Sequence, residues 1–172
     1  TVDSEAEYTA TIAPPRLETY DRHGDLINRI IRNPHYSQCQ RDIYRRGFIA
    51  LNYGNHPAPH LLCFCLGHLV SQADPSLHIA AALSATVAFV LGHHAPPDVR
   101  RHWLPGMLRT DGSALTGSLW TSERDDRCDL DQSTTRARKI GAEIGISGLK
   151  WFVGSPDCDL ALVTARYNTE TT

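Results

Sequence analysis

Residues 76–91 run SLHIAAALSATVAFVL without a formal charge, and this stretch limits what the chain can fold into. At sixteen residues it falls short of the about 20 that a membrane-spanning helix needs. Asp74-Pro75 ahead of it is a start signal, a cap followed by Pro in the first turn. Gly92 ends it. Ala and Ser every few positions allow other helices to approach closely. The run therefore predicts a buried central helix, and the neighbouring chain must supply the layer that covers it.

The flanking segments read as that layer. Residues 37–52 fit an amphipathic helix, with Ile43, Tyr44, Gly47, Phe48, Ala50 and Leu51 recurring at three- and four-residue spacing. Ser37 is the expected N-cap and Gly54 the expected stop. Residues 59–73 form a second helix, apolar on most sides through Leu61, Leu62, Phe64, Leu66, Leu69 and Val70. Such a helix needs neighbours to bury it. Residues 96–109 form a short helix with Val99, Trp103, Leu104 and Met107 on its apolar side. Residues 1–15 are polar, end in Pro14-Pro15 and read as an extended arm. His23-Gly24-Asp25 is a turn signal, and the apolar run from Leu26 to Ile31 fits either a short strand or a helical turn.

Asp111-Gly112 marks a turn and a boundary, after which the pattern changes. Leu115-Thr-Gly-Ser-Leu-Trp-Thr121 is strand-like and ends in the two hydroxyls and carboxylate of Thr121-Ser122-Glu123. Residues 133–140 and 143–147 follow as strand patterns around Gly141, and 148–153 opens a further one. Short strands separated by Gly and charged turns predict an antiparallel meander. The fold class is α+β: an arm (1–15), a helical N-terminal domain (16–111) and a β middle domain (112–172). A hydroxyl-rich strand end beside an aromatic strand can cradle a planar ligand with a polar edge. On chemistry alone, an ordinary sheet with a polar turn and a core Trp remains the alternative.

Composition is that of a water-soluble domain, 41% hydrophobic and 21% charged. A net charge of −2 offers no basic excess to attract nucleic acid or an anionic membrane. Five cysteines without a CxxC pair argue against a disulfide scaffold and for a reducing, cytoplasmic setting. Cys63 and Cys65 flank Phe64 in an apolar run, which suits buried thiols. His93, His94 and His102 lack an accompanying cysteine or carboxylate cluster, so no metal site is expected. The chain shows no P-loop, GxGxxG, GxSxG or HExxH.

The 115–166 segment resembles the acyl-CoA dehydrogenases. That family carries a Thr-Glu, then four residues, then Ser-Asp, and about twenty residues later Gly-x-Lys-x-aromatic. Here Thr121-Ser122-Glu123, Cys128-Asp129, Thr134-Thr135-Arg136-Ala137 and Gly148-Leu149-Lys150-Trp151-Phe152 keep that frame. The wording is most similar to the AidB-like branch, which also has a counterpart of Tyr20-Asp21, Gly24 and Asn33-Pro34-His35-Tyr36.

The resemblance implies a helical domain followed by a barrel-like β domain, and FAD as cofactor. It places Leu119, Thr121, Ser122, Cys128, Phe152 and Gly154 at flavin-binding positions. Phe152 would cover the ring face and Ser122 keep the hydroxyl at its pyrimidine edge. Cys128 replaces a Ser near the pyrophosphate and the acyl-CoA, and Gly154 replaces a hydroxyl residue near the reactive nitrogen. Arg127, in a pair Asp126-Arg127 that is usually small, is a candidate for a substrate phosphate, against a solvated loop or an ion pair with Asp125 or Asp129. Cys128 is the second substrate-side position.

The implied reaction is α,β-dehydrogenation of an acyl-CoA thioester. The family's base is a Glu on a C-terminal helical bundle with no counterpart here. No catalytic residue is therefore assigned, and Glu123 is read as a salt-bridged structural carboxylate. The chain is expected to be a fragment or partial subunit that joins a homo- or hetero-oligomer. The branch's link to nucleic acid belongs to its C-terminal part, so none is expected from these residues. The substitutions at 126–128 and 154 leave a second reading open, a non-catalytic binding or structural subunit.

Overall fold

A computed structural model describes residues 2–124 and 129–167, with side chains from residue 4 onward. Helix α1 (Val2–Thr11) leads into a hairpin of β1 (Arg16–Tyr20) and β2 (Leu26–Ile31). Helices α2 (Pro34–Arg45), α3 (Pro59–Ala73), α4 (Pro75–His93) and α5 (Pro97–Met107) follow. The β region holds β3 (Gly117–Trp120), β4 (Arg136–Ile140), β5 (Glu143–Ser147), β6 (Leu160–Val163) and β7 (Arg166–Tyr167). The fold is α+β, as the patterning predicts.

Helix α4 is the centre. Its start is fixed by Asp74, whose Oδ1 accepts from the Ser76 amide at 2.7 Å and the Ser76 hydroxyl at 2.7 Å. Leu77, Ala80, Ala81, Ser84, Val87, Ala88 and Leu91 are buried along it. Of these, Leu77, Ala81, Val87, Ala88 and Leu91 pack into one core with Tyr36, Ile43, Tyr44, Phe48 and Met107. By length and composition alone α4 could cross a membrane. Here its small-residue stripe is covered by α2, α3, α5 and β3.

The β region is docked on α4 by close approach and one hydroxyl. A Cβ on Gly117 would lie 2.8 Å from Val87 Cβ and 3.0 Å from Met107 Cε, so only glycine lets β3 lie flush on the helix. The buried Ser84 Oγ accepts from the Gly117 amide at 2.9 Å. It also lies 2.9 Å from the Tyr44 hydroxyl and 3.0 Å from the Ala80 carbonyl. Burial pushes the Tyr44 phenol above its ordinary pKa.

Several expectations are corrected. Residues 1–15 are not an extended arm: α1 occupies Val2–Thr11, with Ala6 and Thr9 buried. These small residues, one turn apart, nestle against α2 and α3 and give no large apolar signal. Asn33, not Ser37, caps α2, its side chain accepting from the His35 amide at 2.8 Å. The predicted 37–52 helix stops at Arg45, because Gly47 takes the left-handed φ of 80°. A short 3₁₀ turn, Ala50–Tyr53, completes the segment before Gly54. Helix α3 is covered on one face only: Leu66 and Val70 pack against the core, whereas Leu61, Phe64 and Leu69 stand exposed, and so does Cys65.

The sheet prediction also changes. The described strands form small sheets of two or three strands, with no closed barrel among the described residues. β3 pairs with β6 in parallel, Gly117 opposite Leu160, and β4 pairs with β7 in parallel. Only β1–β2 and β4–β5 are antiparallel hairpins. Residues 121–159 act as a long crossover, the connection parallel strands require. Residues 148–153 form no strand, and β4 starts at Arg136 rather than 133. Both differences arise because these residues serve the polar cluster described next.

Replacing Ser84 by Ala removes the acceptor of the Gly117 amide and the partner of the Tyr44 hydroxyl. The Ser84→Ala variant should lose about 1–3 kcal/mol, read as a lower urea midpoint at unchanged slope.

Candidate functional site

The site grows from a buried carboxylate. Glu123 follows β3, and its side chain is 4% exposed. Its Oε1 accepts from the Ser133 hydroxyl at 2.5 Å and the Thr135 amide at 3.0 Å, and also meets the Thr135 hydroxyl. Its Oε2 accepts from the amide and the hydroxyl of Thr134, each at 2.6 Å. The Lys150 ammonium donates to Oε1 at 2.9 Å. Lys150, whose side chain is 7% exposed, also donates to the Thr121 carbonyl at 3.2 Å and the Thr164 hydroxyl at 3.1 Å. Glu123 is thus the salt-bridged structural carboxylate expected from the sequence. The Ser133, Thr134, Thr135 and Lys150 donors hold its carboxyl far below the usual carboxylate range.

This cluster draws the ligand-binding candidates into one region. Leu119 and Trp120 pair with Leu162 and Val163. Thr121 and Ser122 extend from the end of β3, and the Trp151 amide donates to the Ser122 carbonyl at 3.0 Å. Phe152 follows in a left-handed backbone, φ 59°, with its side chain standing clear of the chain at 94% exposure. Trp151 beside it is half exposed. The Gly154 carbonyl accepts from the Ser118 hydroxyl. A Cβ on Gly154 would lie 2.7 Å from the Leu83 side chain, so glycine suits the packing there. Arg127 and Cys128 lie outside the described residues.

The region has spare hydrogen-bonding capacity. The Thr121 and Ser122 hydroxyls make no hydrogen bond among the described residues. The Trp120 indole N–H is buried with no partner among them. Open hydroxyls at a strand end and an uncovered aromatic ring fit a planar group with polar edges. Among the described residues no group of three or more His, Cys, Asp or Glu could hold a metal.

Sequence reasoning did not identify Lys150 and Thr164 as the partners that fix this region. The available signal was a lone lysine inside the apolar run Leu149-Lys150-Trp151-Phe152, where burial demands an anion.

Because the Glu123 carboxyl titrates lower in the folded chain than unfolded, its stabilisation is complete above about pH 4.3. It is lost as pH falls below that toward the lowered folded value. The stability gap between wild type and Glu123→Gln should therefore stay constant from about pH 7 to about pH 5 and narrow from there toward about pH 3, measured by urea midpoints. Removing one charge of the pair strands the other, so Lys150→Met should lower Tm by roughly 10 °C. The double variant Glu123→Gln/Lys150→Met should recover much of that loss.

No protein-family profile matches the chain. Among curated proteins it is similar to the acyl-CoA dehydrogenase FadE12 of Mycobacterium tuberculosis and its Mycobacterium bovis counterpart. Identity to each is 25% over 149 residues, covering 84% of this chain and 38% of the relative. The chain thus spans a little over a third of the length of these relatives. Among solved structures, the Bd2924 apo-form superimposes with a TM-score of 0.81 at 21% identity, covering 99% of this chain and 35% of that one. Caenorhabditis elegans ACDH-11, in complex with C11-CoA, gives a TM-score of 0.71 at 19% identity, covering 96% and 29%. The α+β arrangement is therefore one shared with these solved structures, and in sequence the chain is similar to curated acyl-CoA dehydrogenases.

Proposed function

We propose that this chain supplies the flavin-facing part of an AidB-like acyl-CoA dehydrogenase, a flavoprotein that performs α,β-dehydrogenation of an acyl thioester. The observation that carries the proposal is the exposed Phe152 ring beside the open hydroxyls of Thr121 and Ser122. Phe152 offers a face for stacking, and Thr121 and Ser122 offer donors and acceptors to a polar ring edge. Leu119 on β3 and Gly154, between Phe152 and Asp157, are the further positions that the resemblance assigns to the flavin. FAD, when bound, supplies the acceptor for the substrate's hydride. The chain's own residues position and shield it, while Glu123 is committed to Lys150 and its hydroxyl donors and takes no part in proton transfer.

The acyl-CoA substrate rests on the superfamily relatives and on the acyl-CoA held by ACDH-11. The AidB-like assignment rests on the Tyr20-Asp21…Gly24 segment, which forms the β1–β2 hairpin and its turn. Unpaired thiols at Cys39, Cys63, Cys65 and Cys158 suit a reducing, cytoplasmic compartment. The exposed apolar side chains of α3 and α4, Leu61, Phe64, Leu69, Ile79 and Phe89, suit a chain that works inside a homo- or hetero-oligomer. Light scattering should then show self-association at micromolar concentration, and a monomer across the whole dilution series refutes that assembly in the isolated chain.

A second reading is favoured by Gly154. It carries no hydroxyl, and its carbonyl is occupied by Ser118. On that reading the chain is a non-catalytic binding or structural subunit. Titrating the purified chain with FAD and recording the visible spectrum after desalting separates the two. Retained flavin bands, lost in Phe152→Ala by at least about tenfold in Kd, support the flavoprotein. No retained flavin and no quenching of FAD fluorescence supports the subunit.

A further inference from the structure

Residues 150–157 form a strap with no regular secondary structure, and it is held at three places. At one end Lys150 is locked into the Glu123 cluster, and Trp151 donates its amide to Ser122. In the middle the Gly154 carbonyl is taken by Ser118. At the far end the Asp157 carboxylate receives two hydrogen bonds from one guanidinium. Arg32 Nε donates to Oδ2 at 2.8 Å and Nη2 to Oδ1 at 2.6 Å. The guanidinium in turn lies 4.7 Å over the Tyr36 ring of α2.

Between these anchors the backbone turns left-handed twice at residues other than glycine, Phe152 at φ 59° and Ser155 at φ 44°. Such conformations persist only where the surroundings over-determine them, and they gather at ligand clamps. The strap has little packing behind its far end. A cavity of about 560 Å³ lies between Pro156-Asp157 and the hairpin residues Leu17, Ile27, Asn28, Arg29 and Ile30. The bidentate pair is the polar contact that ties the far end of the strap to the residue after the hairpin. Arg32 lies directly after β2, so the pair joins the N-terminal hairpin to the strap across 125 positions of sequence.

We propose that Arg32 and Asp157 are positioning residues, a latch that holds the 150–157 strap and with it Phe152, the ring that would be offered to the flavin. Arg32 contacts Asp157 and the Tyr36 ring, and neither Arg32 nor Asp157 is among the residues proposed to hold the flavin. The latch makes the hairpin part of the cofactor site by way of the strap. This rests on the flavin reading given above. It adds that the site's geometry is set from the N-terminal hairpin and not from the β region alone.

The test uses the full chain labelled with 5-fluorotryptophan. Trp151, next to Phe152, reports on the strap, and Trp103 on α5 serves as an internal reference. Wild type, Asp157→Asn, Arg32→Gln and the control Tyr53→Phe are compared. The control removes a hydrogen bond to the Ala88 carbonyl in the helical core, far from the strap in sequence. Two readouts are taken: the Trp151 fluorine resonance without ligand, and the Kd for FAD by fluorescence quenching.

Both latch variants should shift or broaden the Trp151 signal and leave Trp103 in place. Both should raise the FAD Kd about fivefold or more, while Tyr53→Phe changes neither. An unchanged Trp151 signal, or a Kd within about twofold of wild type, overturns the latch. If wild type binds no FAD, the flavin reading fails. The ligand-free Trp151 signal then still decides whether Arg32 and Asp157 hold the strap.

Discussion

The β half of this chain depends on one buried ion pair. Among the described residues its sheets have two or three strands, a size that is marginal in water without support. Glu123 and Lys150 supply that support by collecting three separate segments: the end of β3, the 133–135 approach to β4, and the strap at 150. Taking two charges out of water is costly and is offset only when hydrogen bonds satisfy what the pair leaves open. Ser133, Thr134, Thr135, Thr121 and Thr164 do so here. The polar residues that look like a loop composition are the interior of this region.

The helical half sets where that interior sits. Ser84 and Gly117 bring β3 onto α4 at hydrogen-bonding distance, and β3 carries Thr121 and Ser122 at its end. A ligand against Phe152 would thus be positioned by a rigid path. It runs from the core of α4 through β3 to the hydroxyls, and from Lys150 along the strap to the ring. Sites on braced backbone are more precise than sites on free loops.

Local signals were legible in the sequence. Asp74-Pro75 and the uncharged run gave α4, Gly141 gave the turn of the β4–β5 hairpin, and Glu143–Ser147 appears as read. Glu123 was read as a structural carboxylate because the resemblance places the family's base on a C-terminal bundle without a counterpart here, and the Lys150 pair agrees. What failed was non-local or depended on small residues. Ala6 and Thr9 bury a helix without a large apolar stripe. Parallel pairing of β3 with β6 joins segments that no hairpin turn marks. The aromatic run around Lys150 looks like a strand, but the lysine's need for Glu123 overrides the pattern. Arg32 and Asp157 meet across so much sequence that neither residue alone announces the contact. The hydroxyl-rich end of β3 was legible as a place for a planar ligand, whereas the bracing that holds the ring there was not.

Asp74 carries a consequence for how the fold is joined. The same residue closes α3, its amide donating to the Val70 carbonyl at 2.8 Å, and opens α4 through its carboxylate. No linker separates the two helices, so their corner closes with almost no loop entropy. The contacts at this corner span few residues and need nothing from the β region. The ligand-facing strap, by contrast, needs Arg32, Glu123 and Asp157 together, three positions scattered over most of the chain. A lesion at Asp74 therefore strikes the most local joint of the fold, and a lesion in the strap its least local one.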